Sequence, residues 1–401
     1  MIESMARWWV VVAVFAGCYS PATERPCKAS CNAADGSAAI CPGNQECMGD
    51  GLCHAPGDPT CPPPDDVDAP LADLALIDLP MTGPPYCFGS TGGLMRYCND
   101  TLNTEVLTLP STINTSNAGS CTETPMSGTT QVCVIYAGRI LVTNDVRAIG
   151  SRPLVLVAVE TINVQGTLDA ASRRILGQGA GANTGLCPGP KAPSGESGGA
   201  GGTYQGKGGD GGTAAPSSQG TAPMAFAPTS VRGGCPGAPS LAASGNPGVG
   251  GGVLYLIAGS VITVGGAGRL DVSGAGAFAG DGAGAGGGAG GLIVLDAAAF
   301  QIQGELMANG GGGASGSSGG LASSGGESAA PGSAAAGGPS TVGLFGGAGS
   351  AGLVGLPGQA GGGTGPGMFG GGGGGGAGWI YYLGGTLSMT TRMSPLPVRR
   401  P

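Results

Sequence analysis

The chain has 401 residues, of which 88 are glycine; charged residues make up 10%, aromatics 4%, and the net charge is −8. Without Lys/Arg clusters, this balance excludes the phosphate neutralisation that nucleic-acid binding requires, and disfavours anionic lipid surfaces for the same reason. So much glycine would by itself suggest disorder, because glycine loses the most backbone entropy on ordering. Yet hydrophobic residues reach 41%, and Val, Ile and Leu are gathered in discrete runs, so part of the chain can bury a core.

The amino terminus reads MIESMARWWVVVAVFAGC, with Arg7 followed by an apolar stretch from Trp8 to Ala16 and then Gly17 and Cys18. The stretch is too short for a bilayer-spanning helix and ends in small residues, so residues 1–17 read as a signal peptide. Phe15-Ala16-Gly17-Cys18 resembles the bacterial lipobox. That resemblance implies lipidation of Cys18, and Tyr19 in place of aspartate at the next position implies export to the outer membrane. The membrane partner is then reached through the lipid.

Setting Cys18 aside from the 13 cysteines leaves an even number, which suits disulfides in an exported chain. Cys27, Cys31, Cys41, Cys47, Cys53 and Cys61 form a compact module over residues 18–61, whose connectivity stays open. The others fall at short separations, as Cys87 and Cys98, Cys121 and Cys133, Cys187 and Cys235. Zinc is the weaker reading. Paired CxxC motifs are missing and the sole histidine is His54, so neither a metal site nor a cofactor is expected.

Residues 62–85 alternate proline with Asp65, Asp66, Asp68, Asp73 and Asp78, the composition of an extended spacer. The run lacks the ligand order of an EF-hand. From about residue 86 to 401 the pattern is that of strands: Glu105–Leu109, Gln131–Tyr136 and Arg139–Thr143 are rich in β-branched residues and bounded by Gly, Asn or Pro.

One phrase then occurs three times: an apolar run, a short alternating segment and a glycine-rich stretch. Its copies begin at Leu154 (LVLVAVETINVQGTLDA), Val253 (VLYLIAGSVITVGGAGRLDV) and Leu292 (LIVLDAAAFQIQGELMA), with a partial fourth at Trp379 (WIYYLGGTL). Repetition predicts an all-β fold, a parallel β-helix or β-solenoid turning at Gly166, Gly266 and Gly304. Glycine-rich insertions at about 171–250, 274–291 and 309–378 would extrude from one side. They break the collagen frame, so two readings stand: polyproline-II-like segments packed side by side, or flexible filler.

With His54 alone, neither a serine triad nor a histidine metal cluster can be built in the body. Parallel β-helices resemble the pectinase and polysaccharide lyase families, which implies a carboxylate mechanism as the alternative. Its candidates are Asp145, Glu160, Asp169, Asp271 and Asp296. Asp169 and Asp271 hold matching repeat positions, where a structural role is the better reading. The glycine motifs lack a following helix and therefore no nucleotide fingerprint is read.

The order of lipobox, cysteine module, Pro/Asp spacer and Gly-rich β domain, with phrases such as Arg152-Pro153-Leu154-Val155-Leu156-Val157, is similar to surface lipoproteins of myxobacterial type. It implies a cell-surface location. The expected function is a non-catalytic, lipid-anchored structural or adhesion protein presenting its glycine-rich loops, with surface glycans or other cells as partners. The alternative is a carbohydrate-binding or carbohydrate-active protein.

Overall fold

A computed structural model describes residues 46–47, 53–54 and 86–400, apart from short breaks at 183–184, 186, 242–244, 318–321, 351–356, 364–367 and 388–391. The chain divides into two units, Met1–Met81 and Thr82–Pro401. In the first, β1 (Glu46–Cys47) and β2 (Cys53–His54) pair antiparallel, with Cys47 opposite Cys53 in the backbone register. Cys18, Cys27, Cys31, Cys41, Cys61, the leader and the spacer lie outside the described residues.

The second unit opens with a hairpin of β3 (Tyr86–Phe88) and β4 (Tyr97–Asn99), followed by β5 (Val106–Thr108) and β6 (Thr112–Asn114). A second small hairpin joins β7 (Met126–Ser127) to β8 (Thr130–Gln131). Long and short strands then alternate. They are β9 (Cys133–Val142), β10 (Val146–Ile149), β11 (Leu154–Val164), β12 (Thr167–Asp169), β13 (Val253–Val264), β14 (Arg269–Asp271), β15 (Leu292–Ile302) and β16 (Glu305–Met307). The chain finishes with β17 (Trp379–Gly384), β18 (Met393–Ser394) and β19 (Val398–Arg399).

The long strands form a parallel seven-stranded sheet in the order β19-β17-β15-β13-β11-β9-β5, and the short ones a parallel six-stranded sheet in the order β18-β16-β14-β12-β10-β6. Register explains the repeated phrase. Leu154, Leu254, Ile293 and Ile380 stand in one row across β11, β13, β15 and β17, and Leu168, Leu270, Leu306 and Met393 in a row across the short sheet. These rows face each other in the main core. The opposite face of the long strands carries Val155, Tyr255, Val294 and Tyr381, covered by Met95, Tyr97 and Val231 in a second core. Burial on both faces is why the first halves of these strands are continuously apolar.

The expectation of a closed parallel β-helix is corrected here. The strands build two parallel sheets of seven and six members, and no solenoid closure is detected among the described residues. A closing third sheet would need further runs of Val, Ile and Leu, whereas the segments between the short strands and the next long strands are dominated by Gly, Ala, Ser and Pro. Gly138 also does not end a strand as expected; it lies inside β9, where the Thr104 backbone crosses too near for any Cβ.

The glycine tracts are not extruded loops but a second, strandless core. Gly370 to Gly376 lies at its centre. The amides of Gly370, Gly373 and Gly376 donate to the carbonyls of Glu196, Gly199 and Gly202; those of Gly371 and Gly374 to Gly362 and Gln359; those of Gly372 and Gly375 to Ala314 and Gly311. In return its carbonyls accept from Gly209 and Gly212 and from residues within 284–290 and 347–350, and all these bonds are 2.7 to 3.0 Å long. Consecutive residues thus address different neighbours and every third residue the same one. That is the three-residue turn of polyproline II, here with six flanking segments.

Residues 284–291 are enclosed in the same way: they donate to 370–376, to Cys235 and Ala238, and to Val272 and Ala275, and accept from 199–202, 248–251 and 311–314. Segments this close have no room for side chains. A Cβ added at Gly372 would strike the Ala285 carbonyl, at Gly375 that of Gly288, and at Gly286 that of Ala200. Alanine occurs where gaps between segments accept a methyl, as in the buried group of Ala277, Ala285 and Ala314. The ordered reading of the tracts is therefore the observed one, and flexible filler is not.

Candidate functional site

Three disulfides are present in the body: Cys87–Cys98 across the β3–β4 hairpin, Cys121–Cys133 at the start of β9, and Cys187–Cys235 within the first glycine tract. Of the amino-terminal cysteines, only the backbone positions of Cys47 and Cys53 are described. Among the described residues no group of three or more His, Cys, Asp or Glu side chains is arranged to hold a metal ion, and no helix is long and apolar enough to cross a membrane.

Each candidate carboxylate has a partner. Asp145 accepts from the Thr167 amide at 2.9 Å, and hydrogen bonding from the Thr167 side chain first, and its backbone next, lowers its pKa. Exposed Glu160 pairs with Arg139 at 3.7 Å. Asp296, 4% exposed, interrupts the apolar run of β15 and accepts from both the amide (2.7 Å) and the hydroxyl (2.6 Å) of Ser90. It pins the 90s loop onto the long sheet, a buried charge satisfied by hydrogen bonds.

Asp169 and Asp271, in register on β12 and β14, belong to a ladder of alternating charge on the short sheet. Arg147 meets Asp169 at 2.8 Å, Arg173 meets Asp271 at 2.9 Å and Asp169 at 3.9 Å, and Arg269 meets Asp271 and Glu305 at 3.7 Å each. Arg392 meets Glu305 at 3.2 Å and ends the row. Burial, and next the charge of Asp271, raise Asp169 above the ordinary carboxylate range against the pull of Arg147 and Arg173. Burial works against the charge on Arg173, but Asp271 and Asp169 outweigh it and raise its pKa. Asp169 and Asp271 also cap the chain locally, accepting from the amides of Ala171 and Ser273.

A different cluster was missed by sequence reasoning, because it lies in the tract of 171–250 read as featureless insertion. Tyr204, Phe226 and Arg232 are exceptions to the composition there, and that was the available signal. Residues 223–232 leave the bundle as a strap, with the Phe226 amide donating to the Tyr204 carbonyl and Trp379 Nε1 donating to the Phe226 carbonyl, both at 3.0 Å. The Tyr204 hydroxyl donates to the Arg232 carbonyl at 2.9 Å, and burial pushes that phenol far up.

Arg232 is 5% exposed. Its guanidinium lies 5.0 Å from the Phe226 ring and 5.7 Å from the Tyr204 ring, and Nη2 reaches the sulfurs of Cys187 (2.8 Å) and Cys235 (3.2 Å). Burial lowers its pKa. Between the strap and the β7–β8 turn opens a cavity of about 520 Å³ lined by Thr129, Pro188, Phe226, Thr229, Ser230 and Arg232 among others. A second cavity of about 450 Å³ is lined by Ser90, Thr91, Leu383, Arg399 and Arg400. Arg400 links them: it donates to the Gly92 carbonyl at 3.0 Å and the Pro228 carbonyl at 3.4 Å, and lies over the Tyr381 ring.

These features define an all-β protein of two parallel sheets and a polyproline-II-like glycine bundle, stapled by disulfides. No family model matches the sequence, and no curated protein or solved structure was found to be similar to it.

Proposed function

We propose that the chain is an exported, lipid-anchored surface protein with a structural or adhesive role and no catalytic centre. The observation that carries this reading is how side-chain chemistry is allotted in the body. The candidate carboxylates are held by Arg, Ser or backbone partners, while the glycine tracts are consumed in packing backbone against backbone. Such a body is rigid and stapled, suited to an oxidising compartment. The likeness of its amino-terminal order to surface lipoproteins supports the same reading. What it would offer to partners is the outside of a solid body, since the glycine tracts are largely buried.

The alternative, a carbohydrate-binding or carbohydrate-active protein, is favoured in its binding form by the cavity at Arg232. For the active form, Asp169 and Asp271 are the adjacent carboxylate pair, and both are engaged by arginine. Replacing Cys18 tests the main reading. In a Gram-negative host the native chain should fractionate with the outer membrane and the Cys18→Ala variant with the soluble periplasm. A variant that still partitions with the membrane would sink the lipid anchor.

A further inference from the structure

We propose that Cys187–Cys235 is a redox-active site: an outside dithiol opens this disulfide in preference to the other two bridges of the body, and Arg232 holds the thiolate that leaves. This goes beyond the surface-protein reading and does not depend on it.

The contacts that single the bridge out are those Arg232 already makes. Its Nη2 lies 2.8 Å from the Cys187 sulfur and 3.2 Å from the Cys235 sulfur, and the Phe226 and Tyr204 rings flank the guanidinium. At Cys87–Cys98 and Cys121–Cys133 no arginine or lysine hydrogen-bonds to a sulfur among the described residues. A disulfide is neutral, whereas each step of its opening places a full negative charge on a departing sulfur. A cation beside that sulfur lowers the thiol pKa, and a leaving thiol of lower pKa departs faster. Burial works against the charge on Arg232, so a thiolate formed within its reach stabilises the arginine in return.

Access fixes which sulfur is attacked. Cys187 is half-buried, whereas Cys235 is only 3% exposed. Pro188, next to Cys187, lines the cavity of about 520 Å³ that Arg232 also lines, so a small dithiol can approach from there. Its thiolate attacks Cys187 Sγ, the bond to Cys235 breaks, and the electron pair leaves on Cys235 Sγ beside Nη2. The second thiolate of the reagent then attacks the reagent sulfur of the mixed disulfide and releases Cys187 as a thiolate. Two electrons pass to the bridge, the dithiol becomes a cyclic disulfide, and its two protons go to the new thiols or to solvent. Exposure by itself ranks the bridges differently, since Cys98 lies exposed on its hairpin. The order of opening therefore separates electrostatic selection from simple access.

The test is limited reduction of the full chain with dithiothreitol at neutral pH, trapping of the freed thiols with iodoacetamide, and peptide mapping by mass spectrometry. Cys187–Cys235 should open at least about tenfold faster than Cys87–Cys98 and Cys121–Cys133. Opening of either of those first, or of all three together, would overturn the proposal. Arg232→Gln should slow the opening of Cys187–Cys235 about tenfold and leave the other two rates alone; an unchanged rate at Cys187–Cys235 would equally overturn it. If that variant fails to fold, the order of opening in the native chain decides by itself. Neither measurement involves the lipid at Cys18, so this result and the membrane fractionation stand or fall separately.

Discussion

At Gly372 the amide donates to the Ala314 carbonyl and an added Cβ would meet the Ala285 carbonyl head-on. No left-handed φ is involved there; glycine is required for room. At Gly266, in the β13–β14 turn, a Cβ would meet nothing. Gly372→Ala should therefore lower stability by about 1–3 kcal/mol, the usual cost of overpacking, while Gly266→Ala leaves the denaturation midpoint almost unchanged. Equal midpoints for the two variants, measured in denaturant, would contradict a close-packed bundle. The glycine count was plain in the sequence, but this distinction was not, because it depends on which segment lies opposite. That Asp169 and Asp271 hold matching positions of the repeat was legible; their arginine partners were not, because Arg147 and Arg173 come from β10 and from the turn after β12.

At the scale of elements, the long and short strands were readable from their apolar rows, and the turns fall at Gly166, Gly266 and Gly304 as expected. Hydrophobic pattern reports which face is buried, but not what buries it. That is why the glycine tracts read as insertions extruding from one side, where the chain instead packs backbone on backbone. The same limit hid the strap, whose Phe226 and Arg232 are held against Tyr204 and Trp379 from distant parts of the sequence. Arg232 of that strap reaches the sulfurs of the Cys187–Cys235 bridge. That bridge closes the longest of the three disulfide loops, with a sequence separation of 48 against 11 and 12. In the loop-entropy account its loss should cost about 4 kcal/mol and that of Cys87–Cys98 about 3 kcal/mol. Thermal denaturation of Cys187→Ser/Cys235→Ser and Cys87→Ser/Cys98→Ser variants would check this; a smaller loss for the first pair would show that the tract does not rely on its staple.

The described body as a whole rests on two kinds of interior. One is hydrophobic, between and above the sheets; the other is a lattice of peptide groups with almost no side chains, fed by the segments that leave β12, β14 and β16 and return to β13, β15 and β17. Hydrogen–deuterium exchange across Gly370–Gly376 tests the division most directly. If these glycines are the centre of the lattice, their amides should exchange as slowly as those of Leu154–Ala158 in β11. Exchange at the rate of an unstructured glycine peptide, with β11 still protected, would contradict it.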